Sequence, residues 1–304
     1  MTGLTRPRRL RQDDTVALVA PAGPVAAHLL DSALDALAAW KVSVRVYDSV
    51  RSRHPIFPYL AAADDARAAD FRDAWLDPDV DAVFAARGGY GCMRILDLLD
   101  WGELRSAGPK LFAGSSDVTA LHEAIAVHLG LSTVFSPMPA SAHFDEIAAA
   151  RLHGLLTGEG PLTITGGQGA LVGGRARGVT VGGNLSLLAA GLGAAEHHRP
   201  VSGIALLEDV GEDIYRLDRI LTQLLRSGWF DGVTGIALGS WADCGTPDDV
   251  RALMRDRLGS LGVPIAWEFG FGHIPASLSL PFGAEVELDA DAGTITLTRP
   301  ALES

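Results

Sequence analysis

The chain has 304 residues, 48% of them hydrophobic and 20% charged, as in folded globular proteins with a large core. Its formal net charge is −12, which argues against nucleic acid as a partner, since a nucleic-acid-binding protein needs a basic face. No apolar run approaches the roughly 20 residues of a membrane span, and the two cysteines match no metal-binding spacing, so we expect a cytoplasmic protein with reduced thiols and no membrane partner.

Apolar runs alternate with helical patterns through the first half of the chain. The predicted strands are 15–20, 42–47, 82–86, 110–113 and 131–135, with helices between them that include 64–75 and one after Gly91 carrying Ile95, Leu96, Leu98 and Leu99. This alternation predicts an α/β fold with a parallel sheet, in which ligands bind at the carboxyl ends of strands. Two glycine-containing turns, Arg87–Gly91 and Gly114–Asp117, follow such ends, and we expect them to face one pocket.

The composition changes in the glycine-rich stretch from Gly158 to Gly183, which predicts a linker and the first strands of a second domain. Further predicted strands and helices follow, and the chain ends in an expected hairpin of 284–288 and 294–298. We therefore predict an N-terminal α/β domain at 1–160, a linker at 161–178 and a smaller β-rich C-terminal domain at 179–304.

The stretch Phe112–His122 predicts a strand, a sharp turn and a helix. Such a turn exposes one side chain beside free N–H groups at the helix start, which suits a nucleophilic serine. Serine also caps helices readily, so Ser115 and Ser116 are candidates for either role.

A serine nucleophile needs a base and a group that orients the base. The candidate bases are His122, His128, His197, His198 and His273, and His273 lies in a glycine-rich segment typical of an active-site loop. Glu208 ends a buried strand and needs a partner, either a histidine or an arginine such as Arg216 or Arg219. The order Ser116, Glu208, His273 is that of α/β-hydrolases, but the turn lacks G-x-S-x-G, so that fold is not implied.

The turn Arg87–Gly91 permits three interpretations. Backbone N–H groups in a glycine turn form anion-binding nests, which favours an oxyanion hole or a phosphate cradle. The turn is neither a Walker loop nor G-x-G-x-x-G, and a purely structural turn is the third interpretation.

Seven ordered blocks together resemble the LD-carboxypeptidases and their relatives, the microcin-immunity-type serine carboxypeptidases. The blocks are Val19–Pro21, Tyr59–Ala61 with Asp65–Asp70, Arg87–Gly91 with Arg94, Gly114–Asp117 with Thr119–Leu121, Gly183–Leu185, Leu207–Asp209 with Tyr215 and Asp218–Arg219, and Gly272–His273. The resemblance implies a flavodoxin-like or class I glutamine amidotransferase-like N-terminal domain that carries the nucleophile and a C-terminal domain that carries the glutamate and histidine. It also implies a homodimer.

The resemblance further implies a catalytic triad of Ser116, Glu208 and His273. The implied oxyanion hole consists of the N–H of Asp117 and that of Gly88 or Gly89. This chemistry requires no metal or organic cofactor.

The resemblance leaves the substrate open. The leading interpretation is release of terminal D-alanine from murein tetrapeptides in cell-wall recycling, and the alternative is cleavage of the amide of a peptidyl- or aminoacyl-nucleotide. Immunity-type relatives tend to carry an aromatic-bearing loop between the domains, whereas Gly158–Asn184 contains no aromatic residue, which favours the murein interpretation. A non-catalytic nucleotide or peptide binder that uses the Arg87–Gly91 turn is a third hypothesis.

Overall fold

The computed structural model describes residues 4–304, so the first three positions of the predicted N-terminal domain lie outside the described residues. Within this range the strands are β1 (Thr15–Val19), β2 (Ser43–Val46), β3 (Ala82–Ala85), β4 (Leu111–Gly114), β5 (Thr133–Phe135), β6 (Thr163–Thr165), β7 (Ala170–Val172), β8 (Arg175–Asn184), β9 (Gly203–Val210), β10 (Val233–Ala242), β11 (Ile265–Ala266), β12 (Leu280–Phe282), β13 (Glu285–Asp289) and β14 (Thr294–Leu297). The helices are α1 (Ala27–Ala39), α2 (Asp48–Arg51), α3 (Asp64–Leu76), α4 (Trp101–Ser106), α5 (Thr119–Ala124), α6 (Glu146–Thr157), α7 (Leu185–Ala190), α8 (Ile214–Arg226) and α9 (Pro247–Leu258). No helix among these described residues is both long and apolar enough to cross a bilayer.

The first sheet has the strand order β12–β5–β4–β3–β1–β2, in which β5 to β2 are parallel and β12 is antiparallel to β5. Its central strands are continuous apolar runs because helices cover both faces. Side chains of α1 and α6 pack on one face, and those of α3, α4 and α5 pack on the other. The carboxyl ends of β3 and β4 therefore open onto the same edge of this sheet.

The second sheet has the order β6–β14–β13–β8–β9–β10–β11–β7, with β8 to β11 parallel. Helices α7, α8 and α9 cover one face, and the other face joins the first sheet in a shared apolar cluster that includes Leu18, Phe135, Phe271 and Leu288. The predicted fold class is confirmed: the protein is an α/β protein with a parallel N-terminal sheet and a β-rich C-terminal part.

The segment after Gly91 differs from the sequence prediction. In place of one α-helix it forms two short 3₁₀ turns, Cys92–Arg94 and Leu96–Leu98. Their hydrogen bonds join residues three apart, as from the Ile95 N–H to the Cys92 carbonyl at 3.1 Å. The segment is bounded by Gly91, which has a φ of +135°, and by Asp100, which caps α4, and between them the chain closes three-residue hydrogen bonds in place of an α-helical ladder.

The two sheets do not follow the predicted domain boundaries. The stretch 161–178, expected to be a linker, carries β6, β7 and the start of β8, which belong to the second sheet. In the opposite sense, β12 lies within the predicted C-terminal domain but pairs with β5 of the first sheet. The boundaries at 160 and 179 therefore stay a prediction.

Candidate active site

Ser116 follows β4 in a backbone conformation that serine rarely adopts. Its φ is +62°, whereas the neighbouring Ser115 is extended with a φ of −157°. Ser115 is only 7% exposed and Ser116 is partly exposed, so the turn buries the first hydroxyl and presents the second. Ser115 occupies the N-cap position, yet its side chain makes no capping hydrogen bond. The capping interpretation therefore fails for Ser115.

The turn Arg87–Gly91 lies directly against Ser116. A Cβ atom added at Gly88 would lie 3.1 Å from Ser116 Oγ, so a larger residue at this position would crowd the hydroxyl. Neither the Gly88 nor the Gly89 N–H donates a hydrogen bond to an acceptor within residues 4–304. The two glycine-containing turns thus face one another as predicted, with free backbone donors next to a serine hydroxyl.

The turn is held in place by two buried charged side chains. The guanidinium of Arg67, fully buried, donates to the carbonyl of Gly91 at 2.9 Å and to that of Pro21. The carboxylate of Asp117 accepts from the Cys92 N–H at 2.7 Å, which ties the start of the Ser116 helix to the end of the glycine turn. Burial raises the pKa of Asp117, and the hydrogen bond from Cys92 opposes that rise.

Glu208 and His273 meet at the carboxyl edge of the second sheet. His273 Nδ1 lies 2.7 Å from Glu208 Oε2, and Glu208 is fully buried. Because an ionised carboxylate only accepts hydrogen bonds, Nδ1 carries the proton and Nε2 of the neutral ring is free to accept one. Arg216 pairs instead with Glu212 and Asp213, and Arg219 lies over the ring of Tyr215, so the arginine alternative for Glu208 is wrong.

A loop that leaves β11 carries His273 across the end of β10 to Glu208. The carbonyl of Phe271 accepts from the Ser240 N–H at 2.8 Å, which fixes the loop on β10. Gly272 has a φ of +112°, and a Cβ there would lie 2.8 Å from Glu208 Oε2. Only glycine lets the backbone approach the carboxylate closely enough for the next residue to reach it.

Asn184 connects the two edges of the site. Its backbone N–H donates to Thr119 Oγ1 at 3.0 Å, on the helix that follows Ser116. Its side-chain amide donates to Glu208 Oε1 at 3.3 Å and to Asp209 Oδ1 at 2.9 Å. One residue therefore joins the serine-bearing helix to the carboxylate that contacts His273.

Opposing effects set the pKa of His273. Burial lowers it, but the hydrogen bond to Glu208 and the negative charges of Glu208 and Asp209 outweigh burial and leave it above its ordinary value. The pKa of Asp209 is itself raised, by burial first and also by the charge of Glu208. The protein therefore stabilises the imidazolium form of His273, which favours this residue as a general base that accepts a proton.

The other candidate bases lie elsewhere. His122 is buried between Gly114 O at 2.9 Å and Thr133 Oγ1 at 2.8 Å, and burial lowers its pKa to about 4. His128 stacks on Trp101, and His197 and His198 lie in the segment after α7. No cluster of three metal-ligating side chains occurs anywhere in residues 4–304.

Sequence reasoning missed two residues near His273. Asn184 appeared only as part of a motif, because its partners Glu208 and Asp209 come from the neighbouring strand. The ring of His143 lies 6.0 Å from that of His273 in a T-shaped arrangement, and no pattern around position 143 indicated this contact.

Comparison with known sequences gives matches along most of the chain. Residues 16–136 match the family model of the LD-carboxypeptidase N-terminal domain, and residues 177–288 match that of the LD-carboxypeptidase C-terminal domain. A Streptomyces coelicolor protein named as a carboxypeptidase is 55% identical over 99% of both chains. The murein tetrapeptide carboxypeptidase of Pseudomonas aeruginosa is 33% identical, covering 92% of this chain and 94% of its own.

The fold is also similar to that of a solved structure. MccF, a microcin C7 self-immunity protein solved in complex with glutamyl sulfamoyl guanosine, superposes with a TM-score of 0.87 at 21% identity, covering 98% of this chain and 99% of its own. Fold, site and relatives together define a serine-type carboxypeptidase. The chain belongs to the LD-carboxypeptidase family.

Proposed function

We propose that this protein hydrolyses the L,D-amide bond that releases terminal D-alanine from murein tetrapeptides, in cell-wall recycling. Ser116 attacks the amide carbonyl, and His273 takes its proton and later gives it to the leaving amine. Glu208 holds the histidine tautomer and stabilises the imidazolium. His273 then takes a proton from a water molecule, and this water hydrolyses the acyl-enzyme and frees Ser116.

The oxyanion of the tetrahedral intermediate is stabilised by the N–H of Asp117 and by that of Gly88 or Gly89. The free donors of the glycine turn beside Ser116 Oγ support this assignment. Losing one such donor typically costs about 10²–10³ in rate.

The observation that carries the proposal is the buried contact between His273 Nδ1 and Glu208 Oε2 at 2.7 Å. A histidine oriented in this way, with a raised pKa, is suited to be the base of a serine nucleophile. The left-handed backbone at Ser116 supports the serine as its partner, because strain of this kind is concentrated at functional sites.

Two observations favour the murein substrate. The relative named a murein tetrapeptide carboxypeptidase is 33% identical along nearly its whole length. In addition, the stretch that precedes Asn184 forms β6, β7 and β8 without an aromatic side chain, and so offers no ring for stacking on a nucleobase.

A second candidate is hydrolysis of the amide of a peptidyl- or aminoacyl-nucleotide. The fold likeness to MccF in complex with glutamyl sulfamoyl guanosine favours it. The two candidates share the same serine chemistry and differ in the group that leaves from the amine side of the scissile bond, which is D-alanine in the first and a nucleotide-like group in the second.

The test is release of D-alanine from L-Ala-γ-D-Glu-meso-Dap-D-Ala, followed by mass spectrometry. We expect release by the wild type and a loss of about 10⁴- to 10⁶-fold in Ser116→Ala. Ser115→Ala is the matched control, because it removes the adjacent buried hydroxyl and should keep most of the activity. Equal activity in Ser116→Ala would reject the nucleophile.

If the wild type releases no D-alanine, the murein proposal fails and aminoacyl-nucleotide amides are assayed with the same variants. We also propose, on the family resemblance, that the enzyme is a cytoplasmic homodimer. Sedimentation equilibrium and cell fractionation test these two points.

A further inference from the structure

Three aromatic side chains lie exposed in a row outside the glycine turn. Phe57, Tyr59 and Tyr90 are 37%, 48% and 50% exposed. The ring centroids of Tyr90 and Tyr59 are 5.9 Å apart, and those of Tyr59 and Phe57 are 5.7 Å apart. We call these three side chains the aromatic row. Contiguous exposed rings are uncommon on a monomer surface and mark a surface that binds a ligand or partner.

The inner end of the aromatic row is continuous with the candidate active site. Tyr90 directly follows Gly89 in the turn that contacts Ser116. Gly23 lies between this turn and the loop that carries Tyr59: its N–H donates to the Gly88 carbonyl at 3.0 Å, and a Cβ on it would lie 3.4 Å from the Tyr59 carbonyl. A ligand that enters the site from this side must pass over the row.

Neighbouring side chains hold Phe57, at the outer end of the row, in place. His54 Nδ1 accepts from the Phe57 N–H at 2.9 Å, and the two rings lie 4.9 Å apart. The guanidinium of Arg94 lies 5.9 Å from the Phe57 ring and is itself held by Asp64 at 2.7 Å. The row is therefore preorganised, which lowers the entropy cost of binding.

The length of the row selects the part of the substrate that can occupy it. The leaving D-alanine is a single residue and cannot reach both outer rings. On the other side of the scissile bond, three residues of a murein tetrapeptide extend over about 10 Å before the sugar begins. Outward from Tyr90, which adjoins the glycine turn, the ring of Tyr59 lies 5.9 Å away and that of Phe57 a further 5.7 Å, so the outer part of the row matches the reach of the sugar rather than that of the peptide.

We propose that the aromatic row binds the N-acetylmuramoyl ring of muramoyl-peptide substrates, so that the enzyme prefers sugar-bearing tetrapeptides over free ones. The inference rests on the proposed function and names the acyl-side group of its substrate. Aromatic faces pack on the apolar faces of the sugar, and the exposed tyrosine hydroxyls are donors and acceptors for its polar groups.

The test compares kcat/KM for N-acetylmuramoyl-tetrapeptide and for the free tetrapeptide. We expect a wild-type ratio of about 10 and a ratio near 1 in Tyr59→Ala, through a higher KM for the sugar-bearing substrate, as for one stacked ring. Tyr59→Phe keeps the ring and should keep the ratio. Leu162→Ala, which removes an exposed apolar side chain before β6, is the control for a general surface effect.

A wild-type ratio of 1, or a ratio that Tyr59→Ala leaves unchanged, overturns the proposal. Calorimetric binding to Ser116→Ala, with and without Tyr59→Ala, tests the row separately from catalysis. Absence of D-alanine release by the wild type rejects the proposed function alone, because the binding comparison still decides whether the row holds the sugar.

Two further results would assign the aromatic row to another occupant. Binding of an aminoacyl sulfamoyl adenosine that depends on Tyr59, with no such dependence for the muramoyl peptide, would assign it to a nucleobase. A change in sedimentation coefficient caused by Tyr59→Ala would assign it to a contact between two copies of the chain. Either result overturns the proposal.

Discussion

At the edge of the first sheet the candidate nucleophile is held by backbone conformation, whereas at the edge of the second sheet the candidate base is held by side-chain hydrogen bonds. Ser116 has a φ of +62° and lies against the backbone of Gly88. His273 depends on Glu208, and Glu208 in turn contacts Asn184. The first arrangement depends on backbone geometry and close backbone packing, while the second is sensitive to each donor and acceptor in the side-chain network.

Because the two edges are held differently, substitutions at each edge should differ in how their effects depend on pH. Substitutions at the second edge should change the protonation and orientation of His273, and they should do so in a pH-dependent way. Substitutions at the first edge should change backbone strain, which does not depend on pH.

Among the substitutions that compare the two edges, the largest effect is expected for Glu208→Gln. The amide does not fix the Nδ1–H tautomer as a carboxylate does, and it removes the charge that stabilises the imidazolium, so kcat should fall about 10³- to 10⁴-fold. Neutral His273 is the active base, so wild-type kcat/KM should rise with pH through a pKa above its ordinary value of 6.5. Without the charge of Glu208, the pKa of His273 loses the strongest influence that raises it, while burial and the charge of Asp209 remain, so the rise should move to lower pH. The pH dependence of kcat/KM measures both.

The matched control for this prediction is Glu123→Gln, at a second buried glutamate. Burial raises the pKa of Glu123 to about 8, so this carboxyl is mostly neutral at pH 7 and an amide resembles it closely. We expect nearly unchanged kcat and an unchanged pH profile. An equal fall in activity in both variants would attribute the effect of Glu208→Gln to general destabilisation.

A smaller effect is expected for Asn184→Asp. The new carboxyl keeps the shape of the amide but loses the donor to Glu208 and Asp209 and adds a charge to a buried pair of carboxylates. We expect kcat to fall about tenfold and the free energy of unfolding to fall by about 1–3 kcal/mol. Because burial and like charges raise the folded-state pKa of this new carboxyl, the loss should be small at low pH and grow as pH rises through that pKa.

Urea unfolding at pH 5.5 and pH 8 measures this prediction. Thr119→Val is the comparison, because it removes the acceptor of the Asn184 backbone N–H without changing any charge. Its destabilisation should be the same at both pH values. A pH-independent loss in Asn184→Asp would contradict the picture of a charge-sensitive second edge.

The sequence predicted the parallel strands and the two facing turns, because apolar runs and glycine turns are local signals. The residues themselves left open whether Glu208 pairs with a histidine or an arginine, and only the family resemblance implied His273. That choice depends on how α8 packs: Leu217 and Leu221 face the sheet, and Arg216 lies toward its own acidic neighbours.

Contacts between strands were beyond the reach of the sequence. Asn184 lies opposite Glu208 in the parallel register of β8 and β9, and register is set by the packing of the whole sheet. The segment after Gly91 was predicted as a helix because its apolar residues are closely spaced. The spacing of apolar residues does not distinguish an α-helix from consecutive 3₁₀ turns, and the chain forms such turns between the glycine turn and the cap of α4.

The smallest predicted effect tests backbone strain at the first edge. Glycine is usually less stable than alanine by about 0.4–1 kcal/mol, because its unfolded chain is more flexible. At a φ of +62° alanine is strained and glycine is not, so Ser116→Gly should be more stable than Ser116→Ala by about 0.5–1 kcal/mol. Ser115, with a φ of −157°, provides the internal control, and there the alanine variant should be the more stable one. The urea midpoints of the four variants test this prediction. If the glycine and alanine variants have the same order of stability at both positions, backbone strain does not explain how the Ser116 hydroxyl is presented.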